Sequence, residues 1–577
     1  LKLQACVCSS GAFTIPLGVL ATGALSMVKL ANVSVYDCHG GDYNWEHRVR
    51  HKKRNEIYVA NHLKRVGWTQ RPRRFAHDAE SDPFRAALRS ELYPGREYAK
   101  IDWDNHMHSI ADVDNYSPIH WAMRALQRAL TVYERLGAVR CVRDRALRFV
   151  EEYMISEDIE TNYLDIGPVS KAMHIVCMWV IEGGETDPKA AGNSKAFRAH
   201  VARVPAYLWV AEDGMKVQGY NGSMAWDTAF AIQACVEAGL DGEFSEMCCK
   251  AHGWFVREQV RALPNGDWRH WRQPIRGGWG FSTAEQAWPV SDTTAEAFLA
   301  VLALRRKDCI ASCCPMSDEQ CFDAVQFLLS YQNDDGGWAT YENRRGWKWY
   351  ECLNPSEVFG DIMIDYSYVE CSSSAMGALS VFRQHFPHHR RGEIDRAIRR
   401  GGRFIKQMQR EDGSWYGCWG NCFTYACWFG VDGLLHSGET PECSDAIKRC
   451  MRFLIGKQNE DGGWGEDFAS CFNREYAAMD QLYGSDSGST AVQTAWALLA
   501  LMAGDCADTT AVRRGIRFLM RRQLSSGDWA QENIAGVFNR SIGITYTSFR
   551  NVFPLWALGR FAQSYGPRHG LIAAGGA

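Results

Sequence analysis

One pattern recurs along the second half of the chain and limits what it can fold into. Each copy has an aromatic residue, an aliphatic residue, then a glutamine, a glycine and a tryptophan. Four copies keep a spacing of six residues from glutamine to tryptophan: Gln332 to Trp338, Gln409 to Trp415, Gln458 to Trp464 and Gln523 to Trp529. A weaker copy has Trp254, Phe255, Gln259 and Trp268. Successive glutamines of the four copies lie 49 to 77 residues apart, which is room for two helices per unit.

The segments between the copies show helical periodicity. Residues 295–306 and 492–502 are apolar helices flanked by glycine-rich turns, without the alternation typical of strands. Each repeat ends a helix at its glutamine, turns through polar residues and a glycine, and presents its tryptophan. A glutamine amide at that place can bond backbone groups left open at the end of the next helix. The repeats therefore predict an all-α fold in which an outer ring of helices is tethered.

Composition excludes some classes of function. A net charge of −3 over 577 residues argues against a nucleic-acid-binding protein. The 21 cysteines form no paired CxxC pattern, which favours free thiols in a reducing compartment, and the sequence has no HExxH zinc pattern. The chain has 22 tryptophans, and aromatic residues make up 12% of it, so it supplies many ring faces. The sequence predicts no metal site and no nucleic-acid partner.

The repeats, together with several longer segments, resemble the triterpene cyclases, meaning the squalene–hopene and oxidosqualene cyclases. The resemblance covers roughly residues 80–577, and its longest segments are 220–231, 278–296, 354–371 and 532–560. It implies an all-α fold of two (α/α) barrel, or toroid, domains braced by these QW repeats. On this basis residues 1–205 are expected to form a partial second barrel with its N-terminal part incomplete. Residues 206–577 are expected to form the barrel that carries the catalytic acid and the QW repeats.

Cyclisation of an epoxide-terminated polyene needs a strong acid, a dry cavity and electron-rich walls. The family's initiating acid lies in a DCTAE motif, which this chain resembles as DTTAE, and this implies that Asp292 protonates the epoxide. Two thiols assist the acid in the family, and the matching positions are Thr293 and Cys371. Taken alone, Thr293 with Glu296 also fits a helix capping box. Asp292 acts as an acid only if a low-dielectric cavity keeps it protonated.

The same residue-by-residue match implies an aromatic cavity wall. Aromatic faces attract cations without attacking them, whereas a carboxylate or hydroxyl would trap them. The expected wall residues are Trp226, Phe281, Tyr341, Phe359, Trp419, Phe538 and Tyr546. By resemblance, Trp226, Phe281 and Phe538 would face the cations of ring formation. Trp419 would stack over the epoxide end, and Tyr341 would act with a histidine at the terminating base. Each of these residues alone also fits simple core packing.

The resemblance implies cyclisation of (3S)-2,3-oxidosqualene to lanosterol, an intramolecular rearrangement in sterol biosynthesis. Product choice in the family depends on the positions of Tyr220, Gln286 and Val290. Val290 and Gln286 favour the lanosterol-forming type, whereas Tyr220 leans towards the cycloartenol-forming type. The alternatives are cycloartenol synthesis, a squalene–hopene-type reaction, and a catalytically inactive helical-toroid fragment. The DxDD pattern of the squalene–hopene type does not occur around Asp292.

Residues 44–78 depart from the family. This window carries 10 Lys and Arg residues against 3 acidic residues, and it stands where the family's terminating histidine is expected. None of its histidines can be assigned as that base; they are His47, His51, His62 and His77. A reading-frame or splice error is our hypothesis for this window. The window also favours the alternative of an inactive fragment.

The resemblance implies no metal, nucleotide or redox cofactor, because acid and electrostatics suffice for the reaction. The implied partner is a lipid substrate, 2,3-oxidosqualene. A membrane-dissolved substrate implies monotopic attachment to the endoplasmic reticulum or lipid-droplet membrane through an apolar patch. The sequence indicates no oligomeric state.

Overall fold

The computed structural model describes residues 115–572, except for 116, 136–139, 184–186, 212–213, 263–272, 312–314, 357–359, 480–487, 533 and 539. Within these described residues five helices precede residue 205, and their bounds are α1 Trp121–Arg135, α2 Arg140–Glu160, α3 Pro168–Ile181, α4 Pro188–Asn193 and α5 Lys195–Arg203. A 3₁₀ turn, Val204–Tyr207, leads into the antiparallel hairpin of β1 Leu208–Ala211 and β2 Gly214–Val217. The predicted domain boundary at residues 205 and 206 falls in this turn and stays a prediction.

After residue 217 the longer helices alternate between two layers, and short helices stand between some of them. Their bounds are α6 Met224–Glu237, α7 Ser245–Glu258, α8 Ser291–Leu304, α9 Asp308–Ala311, α10 Asp318–Ser330, α11 Val369–His385, α12 Arg391–Met408, α13 Phe423–His436, α14 Asp445–Gly456, α15 Ala469–Asn473, α16 Ala491–Ala503, α17 Thr509–Arg522, α18 Phe549–Arg560 and α19 Gly566–Arg568. A second hairpin, β3 Gly536–Phe538 with β4 Ile542–Ile544, precedes α18.

Six of these helices form a closed inner ring. Each of α6, α8, α11, α13, α16 and α18 packs against the next, and α18 returns to pack against α6. Helices α7, α10, α12, α14 and α17 lie outside the ring, each against one or two inner helices. The described part of the chain is therefore all-α in architecture, with a helical toroid as its core. The predicted fold class is confirmed.

Burial explains the two layers. The inner helix α13 is buried on nearly all of its faces, from Phe423 to Val431, as expected for a helix that neighbours surround. The outer helix α12 buries only one stripe, including Ile394, Ile398 and Ile405, and turns its arginines outwards. The difference between uniformly apolar and amphipathic helices thus assigns each helix to its layer.

The repeats make the same set of hydrogen bonds in three successive units. In the first, Gln332 Nε2 donates to Gly336 O at 2.8 Å and to Ala397 O of the next outer helix at 2.9 Å. Trp338 Nε1 donates to Leu328 O at 2.7 Å, and the ring is fully buried. Gln409 and Gln458 bond the carbonyls of Ala446 and Ala511 in the same way. Each glutamine therefore ties one outer helix to the following one, as the pattern predicts.

In the weaker copy, the tryptophan of the unit differs from the predicted one. Gln259 Nε2 donates to Gly277 O at 3.0 Å and to Gln320 O at 2.9 Å, as the other glutamines do. The tryptophan that completes the unit is Trp279, whose Nε1 donates to Phe255 O at 2.9 Å. Trp268, the residue expected in this role, lies outside the described residues. An insertion between glutamine and tryptophan hides this unit from a fixed-spacing search.

Two further observations concern the cysteines and the length of the helices. Cys249 is disulfide-bonded, so the expectation of free thiols is wrong for that residue. Among the described residues, no helix combines the length and apolar character needed to span a bilayer.

Candidate active site

The predicted site residues gather at one end of the ring. Since an outer helix separates consecutive inner helices, the inner helices run in the same direction and their N-termini meet at one end. Trp226, Asp292 and Cys371 lie in the first turns of α6, α8 and α11. Trp419 and Phe538 lie in the segments that lead into α13 and α18. The fold thus brings together residues that are up to 312 positions apart, from 226 to 538.

Asp292 is a buried carboxyl group with few polar partners. Its side chain is 6% exposed. One oxygen accepts the Thr293 N–H at 2.6 Å and lies 3.5 Å from the Thr293 hydroxyl, while the other accepts the Cys371 thiol at 3.5 Å. Burial raises the pKa of Asp292 to about 6, and the hydrogen bonds from the Thr293 amide and the Cys371 thiol oppose that rise. Burial therefore favours the protonated form that an acid requires.

Cys371 is itself held in place by a residue that the sequence did not single out. Its sulfur lies 3.4 Å from Thr340 Oγ1, and both side chains are buried. A chain of polar groups thus runs from Thr340 through Cys371 to Asp292. Because Thr340 directly precedes Tyr341, the acid is connected to the segment that carries the predicted partner of the terminating base.

The capping-box alternative is wrong for this helix. The residue that caps α8 is Val290, and no side chain bonds the first turn in that role. Glu296 instead points across the ring, where it accepts Gln233 Nε2 at 2.7 Å and Ser374 Oγ at 2.6 Å. Burial raises its pKa to about 7. The local pattern fits a cap, but packing in the ring directs both carboxyl groups inwards.

A cavity of about 400 Å³ is bounded in part by the segment that begins at Tyr341, directly after Thr340. Tyr341, Trp419 and Phe538 line it. The ring centroid of Trp419 lies 6.3 Å from that of Tyr341 and 5.8 Å from that of Phe538. Tyr368, which the sequence did not single out, also lines the cavity, 5.7 Å from Trp419. The volume lies in the range of small-molecule sites. Asp292, Thr293 and Cys371 are not among the residues that line it.

A second group of predicted rings packs together around Phe281. Trp226 stacks on Phe281 with centroids 5.8 Å apart, and Phe281 lies 5.1 Å from Tyr220 and 6.4 Å from Tyr546. The β3–β4 hairpin joins the two groups, because it begins at Phe538's strand and leads directly to Tyr546. Four of the predicted wall and product-determining rings therefore contact one another.

Of the other predicted positions, some are buried next to the site and some lie outside the described residues. Gln286 is buried and donates to Asp165 O at 3.1 Å and Ile166 O at 3.4 Å. Val290 is buried at the start of α8, with its N–H bonded to Trp279 O. Phe359 lies outside the described residues, as does the 44–78 window with its four histidines. The assignment of roles to all these residues stays a prediction.

Buried carboxylates other than Asp292 hold the loops around the cavity. Glu370 accepts the N–H groups of Cys418 and Trp419, and Asp365 accepts those of Tyr341 at 2.6 Å and Glu342 at 3.2 Å. Burial raises the pKa of both Glu370 and Asp365 to about 7. Sequence reasoning missed them, although Glu370 stands directly before Cys371 in the segment 354–371. Since their oxygens face backbone donors, these carboxyl groups fix ring positions.

One set of side chains has the spacing of metal ligands. Asp158, Asp165 and His200 offer ligand atoms within 4.8 Å of one another, and all three are buried. Lys171, however, lies 3.3 Å from Asp165 and 2.6 Å from His200 Nδ1. An ammonium in this position already bonds two of the three candidate ligands, Asp165 and His200, so the donor set is unsuited to a cation.

Comparison with known proteins agrees with this geometry. Residues 223–563 match the family described as the squalene-hopene cyclase C-terminal domain. The chain is 45% identical over 482 residues to a cycloartenol synthase of Dictyostelium discoideum and 44% identical over 497 residues to a lanosterol synthase of Homo sapiens. These alignments cover 83% and 85% of this chain and 65% of each relative, so the chain spans somewhat less than two thirds of their length.

Among solved structures, the ent-copalyl diphosphate synthase from Streptomyces platensis is 16% identical with a TM-score of 0.41, covering 63% of this chain and 55% of that one. The family match spans the whole inner ring from α6 to α18. It is on this match, together with the extensive identity to cycloartenol and lanosterol synthases, that the assignment rests: the chain belongs to the squalene-hopene cyclase C-terminal domain family.

Proposed function

We propose that the protein is an oxidosqualene cyclase, an enzyme that rearranges (3S)-2,3-oxidosqualene into a tetracyclic sterol. The observation that carries the proposal is Asp292, a buried carboxyl group whose pKa burial raises to about 6, so that it keeps its proton to a higher pH than a free aspartate does. The relatives at 44–45% identity, named as cycloartenol and lanosterol synthases, support the same reaction class.

In the proposed mechanism, Asp292 gives its proton to the epoxide oxygen as the carbon–oxygen bond breaks. The neighbouring double bond attacks the carbon that becomes electron-deficient, and each ring closure passes the positive charge to the next double bond. Methyl and hydride shifts follow, and loss of one proton ends the sequence. The proton gained and the proton lost balance, so substrate and product are isomers. Donors from Thr293 and Cys371 stabilise the carboxylate that remains.

The aromatic walls would lower the barriers of the cationic steps. A desolvated cation over a ring face gains about 2 kcal/mol or more. Tyr341, Trp419 and Phe538 offer such faces at the cavity. Trp226 and Phe281 offer them in the second group of rings. One oxygen of Glu370 and one of Asp365 accept backbone N–H groups, which makes those two oxygens weaker nucleophiles.

We favour lanosterol as the product. By resemblance, cycloartenol synthases have an isoleucine at the position of Val290. The smaller valine at the start of α8 leaves the final cation more room to rearrange. Gln286 supports the same choice. Tyr220, which packs on Phe281, supports cycloartenol as the second candidate.

We also propose peripheral attachment to the endoplasmic reticulum or lipid-droplet membrane, since the substrate dissolves in lipid. Trp347 and Trp349 are 65% and 56% exposed, and the nearby cavity residue Ile362 is 37% exposed. Exposed tryptophans of this kind suit the interface between lipid and water.

The test is incubation of the purified protein with (3S)-2,3-oxidosqualene in detergent, followed by gas chromatography and mass spectrometry. We expect lanosterol, and no cyclic product from the Asp292→Asn variant. Cycloartenol would keep the reaction and correct the product. Turnover of squalene itself would move the chain to the squalene–hopene type. A folded protein that makes no cyclic product would refute the proposal and support the inactive fragment.

A further inference from the structure

Five ionisable side chains, four of them buried and one half-buried, lie close to the cavity and take no part in the proposed proton transfer. We call them the ion cluster, and they are Asp158, Asp165, Lys171, His174 and His200. All but His174 are at most 3% exposed. Buried charges are costly unless each has a partner. The contacts within the cluster therefore show which parts of the backbone it holds in place.

Lys171 is at the centre of these contacts. Its ammonium donates to Tyr163 O at 2.6 Å, to Asp165 Oδ2 at 3.3 Å and to His200 Nδ1 at 2.6 Å. An ammonium has three N–H groups, so all of them are used. Because His200 accepts at Nδ1, the network assigns its proton to Nε2, which lies 3.1 Å from Asp158 Oδ2. Two of the three bonds fasten residues 163 and 165 to α3.

The segment fastened in this way is strained. Asn162, Tyr163 and Asp165 have φ angles of 55°, 59° and 63°, which place three non-glycine residues in the left-handed region. Such conformations are unfavourable for residues with a Cβ, and they persist only where surrounding contacts hold them. We refer to residues 162–166 as the strained turn. Its geometry depends on the ion cluster.

The strained turn also contacts the candidate active site. Ile166 lines the cavity together with Tyr341 and Trp419. From the side of the barrel, Gln286 donates to the carbonyls of Asp165 at 3.1 Å and Ile166 at 3.4 Å. The turn is therefore held from two directions, by Lys171 behind it and by Gln286 in front, and it places an aliphatic side chain on the cavity wall.

We propose that Lys171 is a positioning residue: by fastening the strained turn it fixes Ile166 against the cavity and thereby determines the ratio of cyclic products. This inference rests on the proposed function. A polycyclic cation has several competing fates, whose rates depend on how closely the wall confines it. A small displacement of Ile166 then changes the ratio of products more than it changes the consumption of substrate.

The experiment compares product fractions for the wild type, Lys171→Met and Ile166→Ala. Methionine keeps the length of the side chain but removes its charge and donors. We expect Lys171→Met to consume substrate and to shift the ratio of main to minor cyclic products by about fivefold, in the same direction as Ile166→Ala. The double variant should show no further shift, because both changes act on one wall. Lys195→Met, at an exposed lysine on α5, is the matched control and should give the wild-type ratio.

The outcomes separate the two proposals. Wild-type protein that makes no cyclic product removes the proposed function and this inference with it. An active wild type whose product ratio is unchanged in Lys171→Met, or shifts additively with Ile166→Ala, overturns the inference alone. If circular dichroism shows that Lys171→Met does not fold, Asp165→Asn replaces it. That variant weakens the bond from Lys171 to the turn, and an unchanged ratio there also overturns the inference.

Discussion

Replacing Asp292 by asparagine should make the folded protein more stable while abolishing the proposed chemistry. Burial raises the pKa of this carboxyl from its ordinary 3.8 to about 6. Between those two pH values the folded chain binds the proton more tightly than the unfolded chain, so the stability of the wild type falls as pH rises from about 4 to about 6. Above that window the loss is complete, and it amounts to about 3 kcal/mol at about 1.4 kcal/mol for each tenfold change in proton affinity.

Asparagine has nearly the same shape and does not titrate. The free energy of unfolding of Asp292→Asn, measured by urea denaturation, should exceed that of the wild type by up to about 3 kcal/mol at pH 8 and by almost nothing at pH 4. Cyclisation should fall by about 10²–10⁴-fold or more, because the amide cannot serve as the general acid.

The exposed Asp334→Asn variant is the matched control and should change neither quantity. An equal difference between Asp292→Asn and wild type at pH 4 and pH 8 would refute the reasoning. It would mean that the carboxyl is not destabilised by its surroundings.

Three further predictions follow from the contacts. Thr293→Val should keep the cyclisation rate within about threefold, because the Thr293 amide, at 2.6 Å, holds the Asp292 carboxylate more closely than the Thr293 hydroxyl does at 3.5 Å. Cys371→Ala should lower kcat by about tenfold. Equal losses in the two variants would contradict this prediction. Gln458→Ala should lower the free energy of unfolding by about 2 kcal/mol, since two carbonyls lose their donor, while the exposed Gln384→Ala should not; urea titration compares them. Burial alone would raise the pKa of Asp158, but hydrogen bonds to His174 and His200 lower it to about 2. The stability that the Asp158 carboxylate contributes is therefore present above about pH 4 and lost towards pH 2. An acid titration of wild type against Asp158→Asn measures that loss, and parallel curves would contradict it.

The sequence predicts the ring and part of the site because both depend on patterns that are local. Helical periodicity and the glutamine-to-tryptophan spacing lead to the layers and to the tethers, and motif matches bring Tyr341, Trp419 and Phe538 to one cavity. Trp279 escaped detection because the insertion after Gln259 changes the spacing while leaving the hydrogen bonds intact.

Other features depend on residues that are distant in sequence. Glu370 receives its donors from a segment 48 positions away, and no pattern near Glu370 reports this. The capping-box reading of residues 293–296 failed for a similar reason. It describes a helix start in water, whereas α8 begins inside a ring of five other helices. The strained turn is equally invisible, because three left-handed residues without glycine have no sequence signature.

The way the ring closes has a consequence for biosynthesis. Its seam joins α18 to α6, where Arg560 bonds Glu237 across 323 positions of sequence. A ribosome therefore displays five of the six inner helices before the sixth exists, and their apolar faces have no partner during that interval. Contacts so remote in sequence form slowly, and uncovered apolar surface invites aggregation. The nascent chain should accordingly depend on chaperones until α18 emerges, and variants that weaken the seam should appear first as poor yield of soluble protein.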